Sequence, residues 1–76
     1  MPASDHPQWI TDARRAAGDR IRVRRLHQNM TQESLAYASG VDRSTIQRME
    51  AGQEMKLSHI LAVAHALRVH VTDLLH

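Results

Sequence analysis

Arg43, Ser44, Gln47 and Arg48 fall at i, i+1, i+4 and i+5, the spacing that gathers side chains on one face of a helix. Two guanidinium forks, an amide and a hydroxyl on one face can make paired hydrogen bonds to guanine or adenine edges in a major groove. Any solvated helix can carry the same residue types, so the face gains meaning only from how it is mounted. A second cationic feature lies upstream. Between Arg14 and Arg25 six arginines stand against the single Asp19, a local excess of +5 within twelve residues, while the segment after Arg25 is slightly acidic. Such a stripe is either the footprint of a surface that meets phosphate backbone or a solvated face that keeps a small domain soluble. The formal net charge of +2 conceals both features.

Other chemistry is poorly represented. The six histidines (His6, His27, His59, His65, His70, His76) contain no i,i+4 pair with a third ligand, and with Cys 0 no thiolate can complete a zinc site or form a disulfide. There is no glycine-rich phosphate loop and no nucleophile elbow. The chain is therefore read as a non-enzyme with no catalytic residue, metal or cofactor. No run approaches the roughly 18 apolar residues of a membrane span, and Met1 to Gln8 lacks the apolar stretch of a secretory signal. The expected location is the cytoplasm.

The scaffold that must mount these residues is small. At 76 residues there is room for one domain, and without staples its stability must come from regular helix packing or a partner subunit. Aromatics are 3% and Phe is absent, so the core is aliphatic, a palette suited to helices. Punctuation divides the chain into five short helices and no strand, an all-α fold. After a loose arm over residues 1–10, Thr11 or Asp12 offers an N-cap and the first helix runs from about 12 to 28. Gly18 inside it is either a weak spot or a close packing contact. Thr31 caps a second helix over Gln32 to about Ala38, and Gly40 ends it. Asp42 caps a third helix through about Glu50, followed by Gly52. A fourth spans about Leu57 to Leu67 with Leu57, Ile60, Val63, Ala64 and Leu67 inward, and Val71 to Leu75 makes one more turn. The connection Ser39, Gly40, Val41 is too tight for antiparallel packing and crosses the second and third helices as a helix-turn-helix does. Within that unit, residues 31–52, the residues Leu35, Ala36, Val41, Ile46 and Met49 face the core.

The run TQESLAYASGVDRSTIQRMEAG resembles the Cro/repressor-type helix-turn-helix of the lambda repressor-like, XRE family. Its anchors are Thr31, Gln32, Leu35, Ala36, Gly40 and Val41, then Ser44 or Thr45, Ile46, Met49, Glu50 and Gly52. The upstream RIRVRR and the downstream LAVAHALRVHVTDLL are similar to the flanking helices of that family, so the likeness covers about residues 12 to 75. It implies a lambda repressor-like DNA-binding domain over residues 11–76 and a sequence-specific regulator of transcription acting on double-stranded DNA.

Position by position, the resemblance makes Arg43, Ser44, Gln47 and Arg48 base-reading residues. Thr31, Gln32, Gln53 and Lys56 become phosphate contacts, and Gln32 also braces Arg43. Thr45 lies nearer the core edge or on a phosphate. Arg25 pairs with Glu50, which ties the third helix to the first and can still present the guanidinium to phosphate. Several positions depart from the family pattern. Arg68 and His70 stand where a C′ Gly and an N-cap Ser are usual, leaving that corner less well capped or filled by a partner. Glu54 sits among the phosphate contacts and would repel DNA or turn its loop away. Which of Val23, Arg24 and Leu26 turns inward is open. Trp9 and Ile10 would fold back as a hydrophobic lid or reach the minor groove as an arm.

Family members usually bind two half-sites about 34–36 Å apart as twofold dimers. The surplus apolar residues Leu61, Val71, Leu74 and Leu75, with Val69, are the expected dimer patch, although Leu74 and Val71 could instead close the monomer core. The expected function is a dimeric repressor on a palindromic operator. The alternative is a protein-interaction module, such as an antitoxin that binds a toxin through Trp9, Ile10 and Leu26 while regulating its own operon.

Overall fold

Pro7, rather than Thr11 or Asp12, sets the start of the first helix. The computed structural model describes residues 7–76, so the expected arm falls outside the described residues over 1–6. Its remainder is corrected, because α1 spans Gln8–His27 and takes in Gln8, Trp9 and Ile10. Proline lacks an N–H but its carbonyl can open a helix, and the amide of Ile10 donates to Pro7 O at 2.9 Å. Asp12 is left in the second turn, where it accepts from Gln8 Nε2 at 2.9 Å. The buried side of α1 is Ala17, Gly18, Ile21 and Arg25. Val23, Arg24 and Leu26 are all exposed, so none of the three turns inward.

The following helices are α2 (Gln32–Ser39), α3 (Arg43–Glu50), α4 (Leu57–Leu67) and α5 (Val71–Leu75), and no strand occurs among the described residues. Thr31 caps α2 reciprocally: its hydroxyl accepts from Ser34 N at 2.9 Å and its own N–H donates to Ser34 Oγ at 2.8 Å. Gly40 closes α2 at φ 75°, the left-handed conformation that a side chain disfavours, and sends its N–H to Ala36 O. Val41 drops into the core directly afterwards.

The core consists of Ile21, Leu35, Val41, Ile46, Met49, Val63, Ala64, Leu67 and Leu74, with Ala36, Val71 and Val69 half-buried against it. α1 packs on α3 and α5, and α2 packs on α3 and α4. Gln28 Nε2 donates to Leu67 O at 2.7 Å and joins the ends of α1 and α4. Two leucines exchange the places expected of them. Leu57 is 67% exposed, because the buried arc of α4 centres on Val63 and Leu67 and its first residue falls outside that arc. Leu74 is fully buried and closes the monomer core, so it is not free for a dimer patch. Leu61 and Leu75 remain exposed.

The corner between α4 and α5 is built without glycine. Arg68 takes φ 60° and ψ 41°, while the amide of Val69 donates to Ala64 O at 3.0 Å. Asp73 accepts from the His70 N–H at 3.1 Å, one half of a capping box at the start of α5. A non-glycine residue in the left-handed region costs about 1 kcal/mol. Arg68→Gly is therefore expected to raise the thermal midpoint by about 4–8 °C. A calorimetric scan that shows an unchanged or lower midpoint would contradict this account of the corner. No helix among the described residues is long and apolar enough to cross a membrane.

Candidate nucleic-acid interface

Successive residues of a helix are turned by about 100°. On α3 this places Arg43, Gln47, Ser44 and Arg48 within one exposed arc and Thr45, Met49 and Ile46 within the opposite, buried one. The four side chains singled out by spacing therefore share one solvent-facing surface. The apolar arc holds that surface against the core.

A concave surface lies on each side of the arc. One is lined by Thr31, Gln32 and Arg43 together with Arg25, Leu26, Met30 and Glu33. The other, between the starts of α3 and α4, is lined by Asp42, Thr45, Arg48, Glu54, Lys56 and His59. Each cleft joins an expected base reader to an expected phosphate contact: Arg43 to Thr31 and Gln32 on one side, Arg48 to Lys56 on the other. Acids lie in each as well, Glu33 in the first and both Asp42 and Glu54 in the second. Gln53 is exposed in the connection from α3 to α4, and its N–H donates to Arg48 O at 3.0 Å.

Behind α3 a polar knot fixes its last turn. Arg25 donates from Nε to Glu50 Oε2 at 2.7 Å, from Nη2 to Oε1 at 3.0 Å and from Nη1 to Met30 O at 2.8 Å. The two side chains are 10% and 5% exposed, so the pair is largely withdrawn from solvent. Arg25 thus ties α3 to α1 while it lines the cleft of Thr31, Gln32 and Arg43, and hydrogen bonding to Glu50 raises its pKa above the ordinary value. Gln32 Nε2 reaches Glu50 Oε1 at 3.2 Å, so the residue braced by Gln32 is Glu50 and not Arg43. Two elements of the helix-turn-helix are thereby tied to α1 through one carboxylate.

Thr45 takes the core-edge place of the two expected for it. It is buried, its hydroxyl donates to Asp42 Oδ1 at 2.8 Å and it accepts from Arg48 Nη2 at 3.0 Å, which places it at the core edge rather than on a phosphate. Asp42 further accepts from the Thr45 N–H at 3.1 Å and from the Ser44 hydroxyl. These bonds hold its carboxyl well below the ordinary carboxylate range. Asp42 was legible only as a cap; its grip on two neighbouring side chains was not.

The remaining expected residues scatter. Trp9 and Ile10 belong to the first turn of α1, and so form neither a fold-back lid nor a free arm. Trp9 is 69% exposed beside a shallow apolar groove that it shares with Ile10, Met55, Ile60 and Leu75. Among the described residues no group of three His, Asp or Glu side chains could hold a metal.

Comparison with known proteins agrees with this arrangement. The helix-turn-helix family matches residues 21–74. No curated protein matches the chain. Among solved structures the chain is similar to the restriction-modification controller protein C.AhdI from Aeromonas hydrophila, at 38% identity over 79% of this chain and 92% of that one, with a TM-score of 0.76. It is also similar to the clp gene regulator ClgR from Corynebacterium glutamicum, at 33% identity over 83% and 68% of the two chains and a TM-score of 0.77. The hypothetical transcription factor NHTF from Neisseria is 30% identical over all of this chain and 86% of its own, with a TM-score of 0.81. With its cap residues, tight glycine turn and polar α3 arc in the places this architecture requires, the chain belongs to the XRE-type helix-turn-helix family of DNA-binding transcription regulators.

Proposed function

We propose that the chain is a homodimeric, cytoplasmic repressor that reads a palindromic operator through the major groove. The observation that carries this reading is the single exposed arc of α3, with a cleft holding expected phosphate contacts on each side. A recognition helix inserted in a major groove meets base edges along its outer face and a sugar-phosphate backbone on either flank. Arg43, Ser44, Gln47 and Arg48 then read bases, while Thr31, Gln32, Gln53 and Lys56 hold phosphates. The unit 31–52 does the reading and the domain 11–76 carries it.

Lone base contacts and lone phosphate contacts leave different signatures. Arg43→Ala or Arg48→Ala should lose about tenfold on the operator and relax preference at one position per half-site, with little change on random DNA. Lys56→Ala should weaken binding to every sequence and lower the salt slope by about 1. Equal losses on specific and random duplexes for all three variants would remove the base-reading assignment. Selection of bound duplexes from a random pool tests symmetry at the same time, since a twofold dimer must enrich a palindrome.

Dimerisation is supported by apolar side chains left uncovered on α4 and α5. Leu61 and Leu75 are 47% and 45% exposed, and Leu57 is more so. Leu75→Glu places a charge in that patch and is expected to convert the dimer to monomer in sedimentation. An unchanged dimer would move the interface elsewhere. The partner-protein reading is less well supported. Trp9 and Leu26 lie seventeen residues apart on α1, about 25 Å along its axis, and do not form one patch.

A further inference from the structure

Two of the four side chains on the exposed arc of α3 are held by a residue outside it. Asp42 caps α3, and its carboxylate is also the acceptor for the Ser44 hydroxyl and, through Oδ1, for the Thr45 hydroxyl at 2.8 Å. Thr45 in turn accepts from Arg48 Nη2 at 3.0 Å. One carboxylate therefore directs Ser44 and, by way of Thr45, Arg48. The cleft that contains Asp42 also contains Arg48 and Lys56, so the carboxylate lies on the DNA-facing side and not behind the helix.

The consequence for Ser44 is chemical. A serine hydroxyl has one proton to donate and two lone pairs to accept with. An ionised carboxylate can only accept, so the Ser44 proton points at Asp42 and its lone pairs are what remain for a base. Ser44 and Asp42 together then present acceptors alone. In the major groove the complementary donors are the amino groups of cytosine N4 and adenine N6, whereas guanine and thymine offer only acceptors at the corresponding edge. Arg43 and Arg48 are donors alone and prefer guanine.

We propose that Asp42 is a specificity-determining residue, which fixes Ser44 as a hydrogen-bond acceptor and so selects a base bearing a major-groove amino group, cytosine or adenine, at one position of each half-site. The inference rests on the reading of α3 as the base-reading helix. Asp42 acts on the bases chiefly through Ser44 and is to that extent a positioning residue. Its carboxylate also penalises guanine or thymine at the same position, because acceptor would then face acceptor.

The test is selection from a random duplex pool by the full chain, its Asp42→Asn variant and its Ser44→Ala variant. Asn is as good an N-cap as Asp, so α3 keeps its cap and far-UV circular dichroism should not change. An Asn that keeps its carbonyl oxygen on the Thr45 N–H also keeps it toward Ser44, but that bond loses its charge assistance, about half its strength, so the Ser44 proton is free to turn outward to a base. Asp42→Asn is expected to lose about tenfold of the preference for cytosine or adenine at one position, with guanine or thymine rising there. Ser44→Ala is expected to lose preference at that same position without the reversal. The positions read by Arg43 and Gln47 should hold in both variants; Ser44→Ala should keep the affinity for random DNA, whereas Asp42→Asn, with one negative charge fewer beside Lys56, should raise it for every sequence alike. An Asp42→Asn motif identical to the wild-type motif, or a uniform loss at every position, overturns the inference and leaves the base-reading helix intact. No enriched motif from the wild type overturns the base-reading helix itself, and the Asp42 assignment with it.

Discussion

Arg25→Ala should leave a large fraction of the chain unfolded at 37 °C, and its urea midpoint should collapse relative to wild type. The substitution removes both N–H donors from a carboxylate that is itself 5% exposed, leaving Glu50 with the Gln32 amide at 3.2 Å as its remaining side-chain partner. It also frees Met30 O from its bond to Nη1. Breaking one partner of a buried pair costs about 3–5 kcal/mol, because the other charge stays desolvated. A domain of 76 residues has a total stability of only about 4–11 kcal/mol. The loss is therefore comparable with everything that holds the fold. Arg25→Lys should recover a minor part, since a point charge cannot span both carboxylate oxygens as the fork does.

The paired change Arg25→Met with Glu50→Leu separates the fold from the charge. Neither side chain then needs a partner, and apolar replacement of a buried ion pair is often neutral or stabilising. The double variant should recover most of the lost midpoint. If Arg25 touches no phosphate, the double variant should also keep the wild-type salt slope on random DNA. A slope lower by about 1 would place Arg25 among the phosphate contacts. An Arg25→Ala midpoint equal to wild type would show that the knot contributes nothing to folding.

The helix-turn-helix itself was legible because its determinants are local. Thr31 with Ser34, Gly40, and Asp42 with Thr45 each act within four residues, so caps and turn could be read from the chain directly. The polar arc of α3 was legible for the same reason, since helical spacing alone separates Arg43, Ser44, Gln47 and Arg48 from Ile46 and Met49. What spacing could not decide was the extent of each stripe. Leu57 and Leu74 are equally apolar, but the packing of α5 against α1 and α4 buries Leu74, whereas Leu57 at the start of α4 lies outside the arc that its helix buries. The Arg25 and Glu50 pair spans 25 residues and came from family likeness, with Gln32 as its third member unforeseen. A glutamine can reach either Arg43 or Glu50, and the choice depends on where three helices meet. The start of α1 was misplaced because Thr11 and Asp12 are strong caps in isolation, whereas Pro7 opens the helix with a backbone carbonyl.

Gly18 is the second position where a small change has a large expected effect, and there two physical arguments give opposite signs. In an exposed helix interior, Gly to Ala stabilises by about 1 kcal/mol through propensity. A Cβ on Gly18, however, would be driven onto the carbonyl oxygens of Met49 and Glu50, the last two residues of α3. Those atoms are backbone and cannot swing away as a side-chain tip could. Overpacking of that kind costs about 1–3 kcal/mol, and rigid neighbours place this site at the upper end. The net expectation for Gly18→Ala is a loss of about 2 kcal/mol, read as a fall of about 8–16 °C in the thermal midpoint. Arg25 lies seven residues further along the same side of α1 and grips Glu50. Close approach at Gly18 and the ion pair at Arg25 therefore set the distance and tilt of α3 together, and any shift that relieves the clash must strain the pair. Operator preference should fall along with stability, while the salt slope on random DNA stays unchanged, because no phosphate contact is removed. A Gly18→Ala protein more stable than wild type would show that propensity outweighs contact here and that α1 does not press on the end of the recognition helix.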